Sequence, residues 1–216
     1  MSGFQKLRQF SKYHTATNTS SFEGDIVEKQ VGVRNKRLTL AVNKMLLESD
    51  LVINVPKLRT HNVVGITCSL KNMFGAIAKP RKFGYHKNLD EVIVGINKLV
   101  KSDVCIVDGI IARGKYPKRM GLILAGDDAL ATDFVVAKIL GFNPRRIGYL
   151  RLAEKENVGD VNGIKLMEDK TSLTEAKKVF PRSSYLLHKL SWGLQLKLLK
   201  TYSKISGDVI PPILKE

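Results

Sequence analysis

DLVINVPKLRTHNVVGITCSLKNMFGAIAKPRKFGYH, the stretch from Asp50 to His86, decides how this chain is read. It opens on Leu51-Val52-Ile53-Asn54-Val55, a short β-branched run that favours an extended strand. Pro56 has no N–H for a further ladder bond, so the strand is expected to stop there and Lys57 onward to form a loop at its carboxyl end. In open α/β sheets that edge is where ligands bind, which marks Lys57, Arg59 and His61 as site candidates. The three alternate, so in an extended segment their side chains share one face. Two fixed cations and an imidazole suit a carboxylate or a phosphate. Arg59 offers a bidentate fork, and His61 a proton exchangeable near neutrality. A solvated basic loop is the plainer alternative.

Further along the same stretch, Thr67 to Ile77 is compatible with a helix, with Thr67 as its N-cap. Ser69, Lys71 and Asn72 then fall near a helix start, where free backbone N–H groups favour an anion. Gly75 would let another backbone approach closely. An ordinary amphipathic helix with Leu70, Phe74 and Ile77 inward reads equally well. Lys79 to His86 adds three cations and two aromatic rings, a composition able to stack on or clamp a planar or phosphorylated ligand.

Outward from this stretch the chain has an α/β rhythm. Strands are expected at Ile26–Val33, Leu38–Val42, Asp50–Val55, Asp103–Val107 and Met120–Ala125, and a late one at Ile164–Met167. Helical spacing covers Leu89–Lys101 and Ala129–Leu140, the second opened by Asp127-Asp128 and ended by Gly141, and a further helix follows Pro144 to about Glu156. Gly109 is expected to turn the chain. The fold class is therefore α/β, a largely parallel or mixed sheet with covering helices. The expected organisation is a basic segment and linker over 1–24, an α/β domain over 25–170 and a basic helical extension over 171–216. In that extension, Tyr185 to Ile205 gathers Lys189, Lys197, Lys200 and Lys204 on one side and Leu187, Leu190, Leu194 and Leu198 on the other. Such a helix packs on a domain or lies on an anionic membrane.

The 36 Lys and Arg against 20 Asp and Glu leave a formal charge of +16. That attracts phosphate-bearing partners, whether nucleic acid, an anionic membrane surface or a small acidic ligand. Only Cys68 and Cys105 are present, without CxxC spacing, so neither a disulfide framework nor a self-contained zinc or iron–sulfur site is supported. The amino terminus has no secretory pattern and no segment reaches the length of a membrane span, which points to a cytoplasmic protein, with peripheral membrane association as the alternative.

Asp108 follows the Asp103–Val107 strand, where in a parallel sheet it would face the Pro56–His61 loop. It would then orient His61 as a general base, or join His61 and His86 around a divalent metal. Asp128 or Asp127 reads as a helix cap, and Asp133 inside an apolar helix needs a partner if buried. Cys68 reads as a small buried thiol. No GxSxG, HExxH, P-loop or GxGxxG pattern occurs.

Taken in order, Asp50–His61, Ser69-Leu70-Lys71-Asn72-Met73-Phe74-Gly75, His86, Val107-Asp108-Gly109-Ile110 and Asp127–Asp133 resemble the DUF362 family, a domain of unknown function. The resemblance spans roughly residues 25–160. Where the family usually has Lys-Thr-His, this chain has Arg59-Thr60-His61, which keeps the charge and changes the hydrogen-bond geometry. Members of the family often carry ferredoxin-like iron–sulfur modules, so the resemblance implies a redox or iron–sulfur partner protein. It also implies a longer amino-terminal α/β portion, whose apparent absence fits a truncated or divergent member. The reading reached is an uncharacterised protein that binds an anionic small molecule through Lys57, Arg59, Lys71, Asn72 and His86. His61 and Asp108 are its candidate catalytic residues, in metal- or redox-linked chemistry. The alternative is a non-catalytic basic module on nucleic acid or a membrane.

Overall fold

In the computed structural model, residues 25–79, 82–167, 170–181 and Leu194 are described. Two strands, β1 (Ile26–Val33) and β2 (Lys36–Asn43), form an antiparallel hairpin whose turn is Arg34-Asn35. Arg34 sits at φ 53°, the left-handed backbone that such a tight turn favours. One helical turn, α1 (Lys44–Leu47), follows and is capped by Asn43 Oδ1, which accepts from the Met45 N–H. The chain then gives β3 (Ile53–Asn54), β4 (Lys57–His61), β5 (Gly65–Thr67) and the short helix α2 (Ser69–Met73), which runs into a 3-10 turn at Phe74–Ala76. A second 3-10 segment, Phe83–Asn88, leads into α3 (Leu89–Leu99). The remaining elements are β6 (Val104–Arg113), β7 (Pro117–Gly126), α4 (Ala129–Ile139), α5 (Gly148–Lys155) and α6 (Lys170–Val179).

The sheet is mixed. β6 is its centre, with β3 and β4 end to end along one edge and parallel to it, β7 antiparallel along the other, and β5 antiparallel to β4. Pro56 therefore does not end the sheet. Ile53 stands opposite Val104 and Lys57 opposite Asp108, so one offset carries across the proline. The Pro56 carbonyl accepts the Asp108 N–H at 2.8 Å. A proline lacks a donor but keeps its acceptor, and here the acceptor is the group the ladder uses.

Three other expectations change. Gly109 lies inside β6 and turns nothing; a Cβ there would stand 2.9 Å from the Leu122 carbonyl oxygen and 3.0 Å from Leu58 Cδ2, so close packing is what requires a glycine. Thr67 ends a strand, and the helix after it is Ser69–Met73 alone. Ile164–Met167 forms no strand. The basic segment over 1–24 and the expected helix Tyr185–Ile205 lie outside the described residues, except Leu194, which is helical and exposed.

One face of the sheet carries the core. Leu58, Ile66, Val107 and Ala112 share a single buried cluster with Leu70 of α2, Ile93 and Ile96 of α3, Leu130 and Val136 of α4 and Leu150 of α5. The β1–β2 hairpin packs on α3, where a Cβ on Gly95 would meet Val31 Cγ1 at 3.1 Å. Glu91 ties the same joint by accepting from Lys36 Nζ at 2.8 Å and Arg34 Nη1 at 3.4 Å. α4 is capped by Asp128, whose Oδ1 accepts from the Ala131 N–H, and Gly141 follows it at φ 83°.

Candidate functional site

Alternation along β4 buries Leu58 and turns Arg59 and His61 to the opposite face. α2 and the Phe83–Asn88 segment bring further cations to them, arranged around one ring. Lys71 Nζ lies 4.3 Å from the centre of the Phe74 ring and Lys82 Nζ 5.8 Å from it, while the His86 ring meets it edge-on at 6.3 Å. Lys82 Nζ also donates to the carbonyls of Gly75 at 2.6 Å and Phe74 at 3.3 Å. Burial, then Arg59 and Lys82, lower Lys71 from 10.5 to about 8. Burial, then Lys71, Arg59 and His86, lower His61 from 6.5 to about 4. Among the described residues no carboxylate forms an ion pair with Arg59, His61, Lys71 or Lys82.

His61 has a defined tautomer. Its Nδ1 accepts the backbone N–H of Val63 at 3.1 Å and lies 3.4 Å from that of Val64, which leaves the proton on Nε2. At neutral pH the ring is therefore uncharged and donates through Nε2, which departs from the expected exchange of protons near neutrality. His86 Nδ1 donates to the Lys82 carbonyl at 3.2 Å. Thr67 stands opposite Arg59 in the β4–β5 register and so lies on its face of the sheet, and its buried hydroxyl has no hydrogen-bond partner among the described residues.

The other candidates are held elsewhere. Asp108 accepts from Lys57 Nζ at 2.7 Å and from the Ile110 N–H at 3.0 Å, and the Lys57 hydrogen bond is the main cause holding its carboxyl below the ordinary range. Because Lys57 precedes His61 by four positions of strand, Asp108 is removed from His61 by roughly 13 Å along β4. It does not orient the imidazole. Among the described residues no three of His, Cys, Asp and Glu gather to hold a metal, so His61, His86 and Asp108 do not form the metal site considered from the sequence. Asn72 Nδ2 donates to Asn54 Oδ1 at 2.8 Å, and Asn54 Nδ2 in turn to the Ser69 carbonyl and Ser102 Oγ, so Asn72 is joined to a buried structural amide.

The anion expected at the start of α2 is supplied by the protein itself. Asp133 of α4, fully buried, accepts the Ser69 N–H on Oδ1 at 2.7 Å and the Leu70 N–H on Oδ2 at 3.1 Å. Burial pushes this carboxyl up to about 6 against those hydrogen bonds. Burial and then Asp133 also raise the Cys68 thiol, which leaves it unreactive. Large cavities lie away from the cations: spaces of 690 Å³ and 390 Å³ adjoin β7, α4 and α6 around Leu166 and Leu173. Asp127, Lys165 and Glu175 are among the residues lining the larger space, and the clustered cations are at Phe74 instead.

The domain of unknown function named DUF362 matches residues 4–138. The chain belongs to the DUF362 family. A thylakoid-associated protein, sll1697, of Synechocystis is 31% identical in an alignment 129 positions long that covers 54% of this chain and 40% of that protein. The chain thus spans less than half the length of this relative. No solved structure matches.

The DUF362 match begins earlier than the motifs alone placed it and ends in α4, so it contains the whole Phe74 cluster, Asp108 and Asp133. Sequence reasoning missed two members of the arrangement. Thr67 looked like a helix cap because its pairing with β4 is not local. Phe74 was read as core, and it is buried in the main cluster; what was missed is that its ring also carries Lys71, three positions earlier, and Lys82.

Proposed function

We propose that this DUF362 domain binds an anionic small molecule at the Phe74 cluster. Arg59 supplies a fork of donors, Lys71 a point charge, His61 an Nε2–H and Thr67 a hydroxyl, with Lys82 and His86 at the rim. One observation carries the reading: burial first, and then neighbouring cations, disfavour the charged forms of both Lys71 and His61, and among the described residues no carboxylate pairs with either. An anion placed among them would favour the charged form of Lys71. Asn72, Lys57 and Asp108 take no part, since they are bonded to other groups. The DUF362 relative is described as thylakoid-associated, and for this chain we extend the proposal to peripheral association with a membrane.

Calorimetry with inorganic pyrophosphate and with sulfate tests the binding. Arg59→Gln and Lys71→Gln each weaken binding by roughly tenfold or more, the usual loss for a buried charge-assisted bond, whereas Asn72→Ala leaves it within about twofold. Equal affinity in wild type and in the Arg59→Gln, Lys71→Gln double variant would remove the site.

A further inference from the structure

Among the described residues, the second face of the sheet is uncovered along β3, β6 and β7, away from the β4–β5 edge where Thr67 is buried. Ile53, Val55, Ile106, Ile110, Ile111 and Ile123 are between 37% and 61% exposed, and no described element packs over them. They form a continuous surface. The offset that pairs Ile53 with Val104 and Lys57 with Asp108 puts Val55 beside Ile106, and across β7 Ile106 pairs with Ala125 and Asp108 with Ile123. Monomeric domains rarely leave an apolar patch of this kind in water.

Its charges show what it would meet. Arg59 pairs with Arg113, and Ile111 with Arg119, so these arginines border the apolar residues on the same face. Asp108, the carboxylate standing among them, is already neutralised by Lys57. A surface that is apolar within and anionic above fits both features at once, and a bilayer of acidic lipids is such a surface. We propose that the outer sheet face docks on an anionic membrane, with Ile106 and Ile123 at the apolar boundary and Arg113 and Arg119 among the headgroups. Arg59 belongs both to this face and to the Phe74 cluster, so the cluster would take a headgroup phosphate. That last element rests on the anion reading above; docking of the face does not.

Sedimentation of the full chain with vesicles of phosphatidylcholine, with and without phosphatidylglycerol, tests this. The wild type should bind only vesicles that contain phosphatidylglycerol. An Ile53→Ser, Ile106→Ser, Ile123→Ser variant keeps the +16 charge, and its side chains are outward, so its circular dichroism and pyrophosphate affinity should be unchanged. Its vesicle partition should nevertheless fall by about tenfold or more, because the lost apolar contact is a large fraction of the binding. Partition equal to the wild type would overturn the proposal, assigning vesicle binding to charge alone or to the segment after Pro181. So would a wild type that ignores acidic vesicles and instead captures an acidic protein through this face. An Arg59→Gln, Lys71→Gln variant that loses pyrophosphate but keeps vesicle binding would refute the headgroup element and leave the docking face standing. The reverse pattern, pyrophosphate bound and vesicles ignored, would leave only the small-anion reading.

Discussion

Replacing Asp133 by Asn tests how the centre of the fold is held. The carboxyl is fully buried and lies at about 6 against an ordinary 3.8. A group raised in the folded state binds more protons there than in the unfolded chain between these values. Stability therefore falls as pH rises through that window, by about 3 kcal/mol in total. Asparagine mimics the protonated acid in shape and cannot ionise, so it lacks this dependence. It also turns an amide toward one of the two N–H groups of Ser69 and Leu70, which adds a roughly constant cost of about 1–3 kcal/mol. Urea unfolding of both proteins from pH 4 to pH 7 separates the two effects. The difference in unfolding free energy should shift by about 3 kcal/mol in favour of Asp133→Asn as pH rises. Asp133→Leu, which orphans both N–H groups, should be less stable than Asp133→Asn throughout. A flat difference across the window would show that burial does not govern this carboxyl. A shift in favour of the wild type would show that its two hydrogen bonds outweigh burial.

Other perturbations read other joints. Lys71 has its charge disfavoured below its ordinary 10.5, so sulfate, whose own charge is constant over this range, should bind with proton uptake and lose affinity above about pH 8; calorimetry in buffers of different ionisation enthalpy measures this, and Lys71→Gln should abolish the uptake. Burial, the largest single influence, would raise the Glu91 carboxyl, but the Lys36 hydrogen bond, a backbone hydrogen bond and the Lys36 and Arg34 charges together outweigh it and hold the group below 4.5. Its contribution is thus present above 4.5 and lost as pH falls through the lower folded value, and Glu91→Gln should cost about 1–2 kcal/mol at neutral pH by thermal or urea unfolding. Gly109→Ala drives a methyl against the Leu122 carbonyl and Leu58, with an expected loss of about 1–3 kcal/mol in the same assays; unchanged stability would mean that β6 and β7 are not closely packed there.

Elements whose signals are local were legible in the sequence. The β1–β2 strands alternate, α3 has its helical stripe, and α4 carries both its Asp128 cap and its terminal Gly141. What failed was pairing across distance. Pro56 reads as a stop only if its neighbour needs a donor, and β6 asks it for an acceptor. Asp133 is a polar residue in an apolar helix until its partners, more than sixty residues earlier, are in place. The site was half legible for the same reason. Arg59, His61 and Lys71 were found by type and position and do meet, whereas Asp108 was assigned by a strand end that lies elsewhere because β6 runs on to Arg113.

The two buried acid–base features of this fold pull in opposite directions, and the contrast bears on function. At the start of α2 the chain supplies a carboxylate, Asp133, to donors that would otherwise be unmet, so that site is complete without a ligand. Close by, Lys71, Arg59 and Lys82 are brought together around Phe74 and receive no carboxylate from any described residue. Stability alone does not explain that choice. Neutral side chains would fill the same volume without mutual repulsion, and uncompensated cations destabilise a fold by the amount their charged forms are disfavoured. Strain of this kind is retained where a ligand relieves it. If the cluster serves an anion, filling it should therefore stabilise the folded chain in proportion to occupancy. Thermal unfolding with rising pyrophosphate would show this as a progressive increase in Tm, absent in the Arg59→Gln, Lys71→Gln variant. That variant, freed of two repelling charges, should unfold at the same temperature as the ligand-free wild type or above it. A double variant markedly less stable than the wild type, with no ligand effect in either, would mean that these cations serve the fold and not a bound anion.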